Sequence, residues 1–199
     1  MLFDLAPLIP GLATRDALVD PAEEEELIAH ITALDLTPFR FQGFTGKRLT
    51  TSFGWAYDFD NGRISQAEPI PDWLEPLRRR AADFARLATE DLVQALVIRY
   101  DPGAGIGWHR DRPQFDEVVG VSLGAPVVLT FRQRTATGFR RVKLPLAPRS
   151  AYHLAGEVRS AWEHGISAHD ALRFSITFRS LKPAAPPRGT AAPKRATSP

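Results

Sequence analysis

The chain has 199 residues, of which 44% are hydrophobic, and this is enough for one domain with a sizeable core. It contains no cysteine, which excludes disulfides, zinc–thiolate sites, iron–sulfur clusters and thiol nucleophiles. The net charge of +2 is uneven, because the last eighteen residues carry four basic side chains and no acidic one, which leaves residues 1–181 at −2. Any binding of nucleic acid must therefore depend on local patches or on the tail.

The N-terminal segment, MLFDLAPLIPGL, is apolar but carries Asp4 and no basic residue, so we expect no signal peptide. No uncharged apolar run approaches the roughly 20 residues that span a bilayer. We therefore expect a monomeric, cytoplasmic protein with no membrane partner.

Two helices are predicted in the first half of the chain. The first begins at Asp20, which can cap it, continues through Pro21 and a run of four glutamates, and ends near Leu34. The glutamates, residues 23–26, are expected to form a solvated first turn. A second helix is expected over Trp73–Leu87, where apolar residues recur at helical spacing.

Strands are predicted in most of the remaining sequence. Residues 39–63 are rich in aromatic residues, threonine and glycine, which is typical of short strands and turns. Later strands are expected at 94–100, 120–134 (one strand or two), 139–146, 150–156 and 171–180. Because they follow one another without long helices, they favour a sandwich or barrel. The predicted fold class is α+β, with an N-terminal helical layer packed on an antiparallel β-barrel, and the basic Pro/Ala-rich tail, 182–199, is expected to be disordered.

The segment GWHRD places His109 and Asp111 two residues apart. On an extended strand such residues point to the same face, so one imidazole and one carboxylate project side by side. His164, in the segment WEHGI, can complete a set of two histidines and one carboxylate. That set, with open positions opposite, is the arrangement of a non-heme Fe(II) centre that activates O2. The alternative is a surface H-x-D with an unrelated histidine, because a two-residue pattern is common by chance.

The last predicted strand, ALRFSITFRS, has one polar and one apolar face. Arg173, Ser175, Thr177 and Arg179 share the polar face, which looks either to solvent or into a cavity. The two arginines are six residues apart, which separates them by roughly 20 Å, so they serve different partners. One guanidinium can hold the end of a dicarboxylate through a bidentate pair.

Four segments in this order, RYDPGAGIGWHRD, VVGVSLG, WEHGI and RFSITFR, resemble the AlkB family of Fe(II)/2-oxoglutarate-dependent dioxygenases. The resemblance covers about residues 94–181. It implies a double-stranded β-helix (jelly-roll) catalytic core over that range. Residues 1–93 would then be the N-terminal helical and substrate-recognition part of one domain, 1–181. The resemblance also implies Fe(II), 2-oxoglutarate as co-substrate, and O2.

The resemblance assigns roles to individual residues. His109, Asp111 and His164 would bind the iron. Arg173 would pair with the distal carboxylate of 2-oxoglutarate. Tyr100, nine residues before the first ligand as in the family, would donate its hydroxyl to the co-substrate.

Arg179 matches the second arginine of the family, which lies near the co-substrate and the substrate pocket. Two positions depart from the family pattern, because Ile98 and Ser175 stand where many members have asparagine. Ser175 can still donate a hydrogen bond, but Ile98 cannot. The affinity for 2-oxoglutarate is therefore less well supported than iron binding.

The implied reaction is oxidative demethylation (dealkylation) of nucleobases in DNA or RNA. Decarboxylation of 2-oxoglutarate to succinate and CO2 would be coupled to hydroxylation of an N-methyl carbon, and the hydroxylated product would release formaldehyde. A single-stranded nucleic acid is the expected partner. Two alternatives stay open. One is the same chemistry on a protein side chain or small molecule, and the other is a non-catalytic jelly-roll binding module.

An aromatic segment, SFGWAYDF at 52–59, is a candidate for contact with the substrate base. Its aromatic residues alternate, and they include Trp55 and Tyr57. Flipped bases are commonly held between aromatic faces. The alternative is a strand whose aromatic side chains face the core.

A basic segment, FRQRTATGFRRVK at 131–143, is predicted to form a hairpin with Thr-Gly at its turn. Arg132 and Arg134 on this hairpin could grip phosphates near the site. The alternative is a hairpin whose charges are only solvated. Trp108, beside the first candidate iron ligand, is expected to pack within the barrel.

Overall fold

The computed structural model describes residues 8–41, 44–57 and 62–183, and antiparallel strands account for most of them. The strands of this part of the chain are, in order, β1 (Leu12–Arg15), β2 (Thr37–Phe41), β3 (Phe44–Phe53), β4 (Trp55–Tyr57), β5 (Ile64–Gln66), β6 (Leu92–Tyr100), β7 (Ala104–His109), β8 (Phe115–Gly124), β9 (Val127–Thr135), β10 (Gly138–Leu146), β11 (Ala151–Leu154), β12 (Glu163–His169) and β13 (Arg173–Leu181). Seven of them form the major sheet, in the order β1-β11-β8-β13-β6-β3-β2. Four form the minor sheet, in the order β10-β9-β12-β7, and β4 pairs with β5.

The two larger sheets face each other as the layers of a jelly roll. Apolar side chains from both sheets meet in one buried cluster, which includes Val118 of β8, Tyr152 of β11, Phe131 of β9 and Ile166 of β12. Trp162, which is fully buried, belongs to the same cluster. This part of the space between the sheets is therefore filled, and polar residues occupy another part of it.

Helices cover the outer face of the major sheet. They are α1 (Pro21–Ala33) and α2 (Glu75–Ala85). Single 3-10 turns lie at Asp72–Leu74 and Thr89–Asp91, and a short helix α3 (Gly156–Ala161) packs its Val158 into the cluster between the sheets. Side chains of α1 and α2 pack in one core with β6, β8 and β13. The predicted α+β jelly roll with helices packed on it is confirmed.

The start of α1 follows from its first residues. The side chain of Asp20 accepts a hydrogen bond from the backbone of Glu23 at 2.9 Å, and Pro21 takes the first helical position. The expectation that the glutamate run is solvated is wrong for Glu24, which is buried. Its Oε1 accepts from the backbone N of Gly124 and its Oε2 from Arg149, each at 2.8 Å. The hydrogen bond with Gly124 thereby connects α1 to the end of β8.

Strand β13 has the two faces that its sequence predicts. Phe174, Ile176 and Phe178 join the core under the helices, whereas Arg173 and Ser175 are buried on the opposite face. The polar face therefore looks into a cavity between the sheets and not to solvent.

Several strands differ from the sequence-based expectation. Residues 120–134 belong to two strands, β8 and β9, and the basic segment forms the hairpin β9–β10, in which Thr135 pairs with Gly138. Strands β1, β5 and β12 were not expected, and β7 was expected only as the extended segment that carries His109. The tail beyond Pro183 lies outside the described residues. In the described ranges, no helix has both the length and the apolar character needed to cross a membrane.

Candidate metal centre and co-substrate cavity

Two neighbouring strands of the minor sheet bring the candidate iron ligands together. His109 is the last residue of β7 and pairs in register with His164 of β12, and their ring centroids are 4.3 Å apart. Asp111 follows β7 by two residues, so it reaches the same point from a loop and not from an extended strand. One ligand atom from each of the three lies within 4.8 Å of the others.

The site holds its ligands in the protonation states that bind a divalent cation. Burial, together with the neighbouring His109, lowers the pKa of His164 to about 3. Burial also lowers the pKa of His109, although Asp111 opposes this. Burial alone would raise the pKa of Asp111, but Arg179, with the two histidines, holds it well below its usual range. Both imidazoles are thus neutral and the carboxylate is ionised at neutral pH.

Hydrogen bonds orient two of the ligands. Nδ1 of His109 lies 2.9 Å from the carbonyl of Gly107, and a proton on that nitrogen leaves Nε2 for a metal. Oδ1 of Asp111 accepts from Arg179, while Oδ2 is buried and has no hydrogen-bond partner in the part of the chain that the structure describes. A buried carboxylate oxygen without a partner is costly, and a cation would satisfy it. The donor set and this oxygen therefore fit Fe(II).

A second set of unpaired polar atoms lies on β13 and fits a dicarboxylate. Arg173 is 1% exposed, and its Nη2 donates to Oγ of Ser122 at 3.3 Å. Its Nε and Nη1 are buried with no acceptor among the described residues. Tyr100 pairs with Arg173 in register, and the guanidinium carbon lies 4.9 Å from the centre of the Tyr100 ring. A carboxylate of 2-oxoglutarate would supply the missing acceptors.

The two departures from the family pattern are neighbours in the structure. Ser175 of β13 pairs directly with Ile98 of β6, and both are buried. The ring of His169 lies 6.0 Å from that of Tyr100. Both of its ring nitrogens are buried without a partner in the described ranges. His169 thus brings polar atoms to the same side of the cavity.

Sequence reasoning missed two residues that support the centre. Gln94 accepts a hydrogen bond from Nη1 of Arg179 at 2.9 Å and donates one to the carbonyl of Trp55 at 2.7 Å. Arg159 donates to the carbonyls of Arg112 and Phe115, both at 2.6 Å, and so holds the loop that follows Asp111. Gln94 could have been found, because it shares a strand face with Tyr100, whereas nothing in the sequence around Arg159 indicates its role.

The aromatic segment lies against this loop. Trp55 and Tyr57 are half-buried in β4, and neither belongs to a buried core cluster. The guanidinium of Arg112 lies 4.7 Å from the centre of the Tyr57 ring. Phe59, the last aromatic residue of the segment, lies outside the described residues. The structure thus brings Trp55 and Tyr57 close to the metal loop.

The basic hairpin is placed differently from the expectation. Arg132 pairs in register with Glu163, the residue before His164, so it points to the opposite face of the minor sheet. Its Nε donates to Glu163 at 2.6 Å, and Arg134 lies two residues further along the same face. Trp108 is also on the outside and 39% exposed, so the expectation that it packs within the barrel is wrong.

A family model described as the 2OG-Fe(II) oxygenase superfamily matches residues 13–179, and the chain belongs to this superfamily. Such proteins are dioxygenases that use Fe(II), 2-oxoglutarate and O2, and the residues described above fit all of these roles.

Individual relatives point to one branch of the superfamily. The Mus musculus protein named tRNA (carboxymethyluridine(34)-5-O)-methyltransferase ALKBH8 is 26% identical over 185 residues, which are 88% of this chain and 27% of that protein. The Arabidopsis thaliana protein named Alkylated DNA repair protein ALKBH8 homolog is 26% identical over 207 residues, covering 91% of this chain and 58% of the relative. This chain therefore spans between about a quarter and three fifths of the length of these relatives.

A solved structure, that of OsALKBH1, has the same fold. It superimposes with a TM-score of 0.65 at 16% identity, covering 88% of this chain and 99% of the other. This likeness shows the fold, and the family model with the named relatives confirms the predicted resemblance to the AlkB family.

Proposed function

We propose that this AlkB-family dioxygenase removes methyl groups from nucleobases in single-stranded DNA or RNA. The observation that carries the proposal is the link between the aromatic strand β4 and the metal loop. Gln94 joins the carbonyl of Trp55 to Arg179, which binds Asp111, and Arg112 lies over Tyr57. A base that enters beside Trp55 or Tyr57 would therefore lie close to the metal. The names of the relatives, which refer to tRNA and to alkylated DNA, support nucleic acid as the substrate.

Bound Fe(II), with 2-oxoglutarate and O2, supplies the oxidant that converts N–CH3 to N–CH2OH while 2-oxoglutarate becomes succinate and CO2. The residues of the chain bind and orient these groups. His109, Asp111 and His164 would hold the metal on one side, and Arg173 with Tyr100 would orient the dicarboxylate. The hydroxymethyl product then loses formaldehyde and leaves N–H on the base.

The aromatic strand would hold the substrate. A base must leave its stack to reach a buried metal, and proteins commonly hold such a base against aromatic rings. Trp55 and Tyr57 would make this contact. Arg132 and Arg134 would contact phosphates from the outer face of the minor sheet, away from the metal.

The test is a turnover assay with purified protein, Fe(II), 2-oxoglutarate and oligonucleotides that each carry one methylated base. We expect succinate, formaldehyde and the unmethylated base in equal amounts. His109→Ala should yield none of these products, and Trp55→Ala should raise the KM for oligonucleotide more than that for 2-oxoglutarate. Succinate formation that no methylated oligonucleotide stimulates would contradict the proposal.

The second candidate substrate is a methylated protein side chain or small molecule. The net charge of −2 over residues 1–181 favours it, because a polyanion gains nothing from that overall charge. A panel of methylated peptides in the same formaldehyde assay separates the two. We further propose a cytoplasmic monomer, which gel filtration of the purified chain and cell fractionation can test.

A further inference from the structure

We propose that the outer face of the minor sheet is a separate binding site for single-stranded nucleic acid. The proposal rests on the proposed function and names a surface that would hold the strand outside the metal cavity. We call this surface the outer basic face, and its residues are Trp108, Arg132, Arg134, Phe139, Arg141 and Lys143.

Strand register places these side chains on the outside. Arg132 pairs with Arg141 of β10 and with Glu163 of β12, so all three share one face. Their neighbours Phe131 and His164 are buried on the other face. The same register gives Arg134 opposite Phe139 and Thr130 opposite Lys143.

Trp108 faces outward beside a bulge in β7. His109 pairs with His164, and Ile106 pairs with Ile166. Between these two pairs β7 has one more residue than β12, which marks a bulge in β7 between Ile106 and His109. His109 and Ile106 both face inward, and Trp108 is exposed. The aromatic ring of Trp108 therefore lies on the surface, next in sequence to the candidate iron ligand His109.

The charge of this face is strongly positive. The outer basic face carries four arginine or lysine residues, and Glu163 is the one acidic residue in the four described strands of the minor sheet. Glu163 is already paired with Arg132. Arg134, Arg141 and Lys143 are exposed. This local excess of positive charge contrasts with the negative net charge of residues 1–181 and matches a phosphodiester chain.

A groove beside Trp108 gives room for a base. Its volume is about 320 Å³, at the lower end of the range for ligand sites. Besides Trp108, its lining is mainly small residues and backbone, including Gly105, Gly107, Thr130 and Gly165. A Cβ on Gly165 would lie 2.9 Å from the carbonyl oxygen of Ile106, so a side chain does not fit there without a shift.

Aromatic and cationic groups alternate next to the groove. The guanidinium of Arg132 lies 4.5 Å from the ring centres of both Trp108 and Phe139. Grooves that bind single strands combine aromatic rings, on which bases stack, with cations along the backbone. An acidic protein would use the cations but would gain little from the groove and Trp108. These features together favour a nucleic acid strand.

The test measures binding of a fluorescein-labelled, unmethylated single-stranded oligonucleotide of about 12 nucleotides, a length within known site sizes. The outer-face variant is the triple change Arg134→Glu, Arg141→Glu and Lys143→Glu. The matched control is Arg15→Glu, Arg79→Glu and Arg86→Glu, which changes the net charge equally at exposed positions in β1, in α2 and at the residue that follows α2.

We expect the outer-face variant to bind at least tenfold more weakly than the control. The slope of log K against log salt should be lower by about 2, because each phosphate contact to a single strand contributes about 0.7. Trp108→Ala should weaken binding with little change in the salt slope. Equal affinities of the two triple variants, or equal competition by poly-glutamate and by oligonucleotide, would overturn the proposal.

The result is separable from the proposed reaction. Demethylation by the wild-type protein with equal binding by both triple variants would refute the outer basic face and leave the reaction intact. Selective loss of binding in the outer-face variant, without turnover of any methylated oligonucleotide, would support the face and refute the reaction.

Discussion

Arg179 directs two of its nitrogens to one oxygen of Asp111. Nε lies 2.9 Å and Nη2 2.7 Å from Oδ1, while Oδ2 lies 3.5 Å from Nε2 of His164. The carboxylate is thereby fixed with one oxygen bound and the other turned toward the histidine ligand. Arg179 in turn donates to Gln94, so the orientation of the metal carboxylate depends on three elements of the fold.

Replacing Arg179 with lysine should weaken metal binding. An ammonium group cannot reproduce the paired contact with Oδ1, and loss of a partner behind a metal ligand typically costs 10- to 100-fold in affinity. Anaerobic titration with Co(II), followed by absorbance, measures this affinity. Arg99→Lys is the control, because Arg99 bonds Asp101 on a more exposed surface at 2.8 Å. Equal Co(II) affinity in both variants would show that Arg179 does not orient Asp111.

Replacing His164 with alanine should abolish metal binding and turnover together. Two ligands remain in that variant, and they cannot hold Fe(II) on one face in the same way. The control is His153→Ala, since His153 bonds Glu117 at 2.7 Å and lies edge-on to Phe84 of α2, away from the metal. Circular dichroism spectra of both variants provide the control that they are folded. Retained Co(II) binding by His164→Ala would exclude His164 as a ligand.

Replacing Arg173 with glutamine should affect 2-oxoglutarate and not the metal. Its two unpaired nitrogens are the donors available to a carboxylate, and hydrogen bonds to charged groups contribute about 1.5–3 kcal/mol. The KM for 2-oxoglutarate should rise about 10- to 100-fold, with Co(II) affinity unchanged. Arg149→Gln, on the opposite side of the major sheet, provides the comparison. An unchanged KM would mean that the co-substrate carboxylate binds elsewhere.

The sequence predicts the parts of the site that depend on local spacing. Alternation along β13 separates Arg173 from Phe174, and the H-x-D spacing brings His109 and Asp111 to one point even though the strand ends between them. The helix start at Asp20 is local in the same sense. In each case the responsible residues lie within a few positions of one another.

Features that depend on distant pairing could not be predicted. From the sequence, Glu24 is expected to be solvated, but its hydrogen-bond partners are Gly124 and Arg149, more than ninety residues away. Trp108 is expected from the sequence to pack within the barrel, but it lies on the outer face beside a bulge in β7. A bulge is set by the register of two strands and leaves no clear signal in either one.

Tyr152 provides a prediction about how the stability of the fold depends on pH. Its ring is 9% exposed between the sheets, and a Cβ on Gly120 would lie 2.2 Å from its Cζ, so glycine makes room for the ring. Burial, together with the nearby Tyr100 and Asp111, raises the pKa of Tyr152 to about 12. In the unfolded chain a tyrosine ionises near pH 10.

The free energy of unfolding should therefore decrease as the pH rises from the pKa of the unfolded state to that of the folded state. Below about pH 10 the hydroxyl is neutral in both states, and above it the unfolded state releases a proton that the folded state retains. The free energy of unfolding should drop by about 1.4 kcal/mol between pH 9 and pH 11 on account of this residue alone. Tyr152→Phe lacks the group, so urea titrations at both pH values should show a smaller loss for the variant. Equal losses would indicate that Tyr152 ionises as readily in the folded protein as in the unfolded chain.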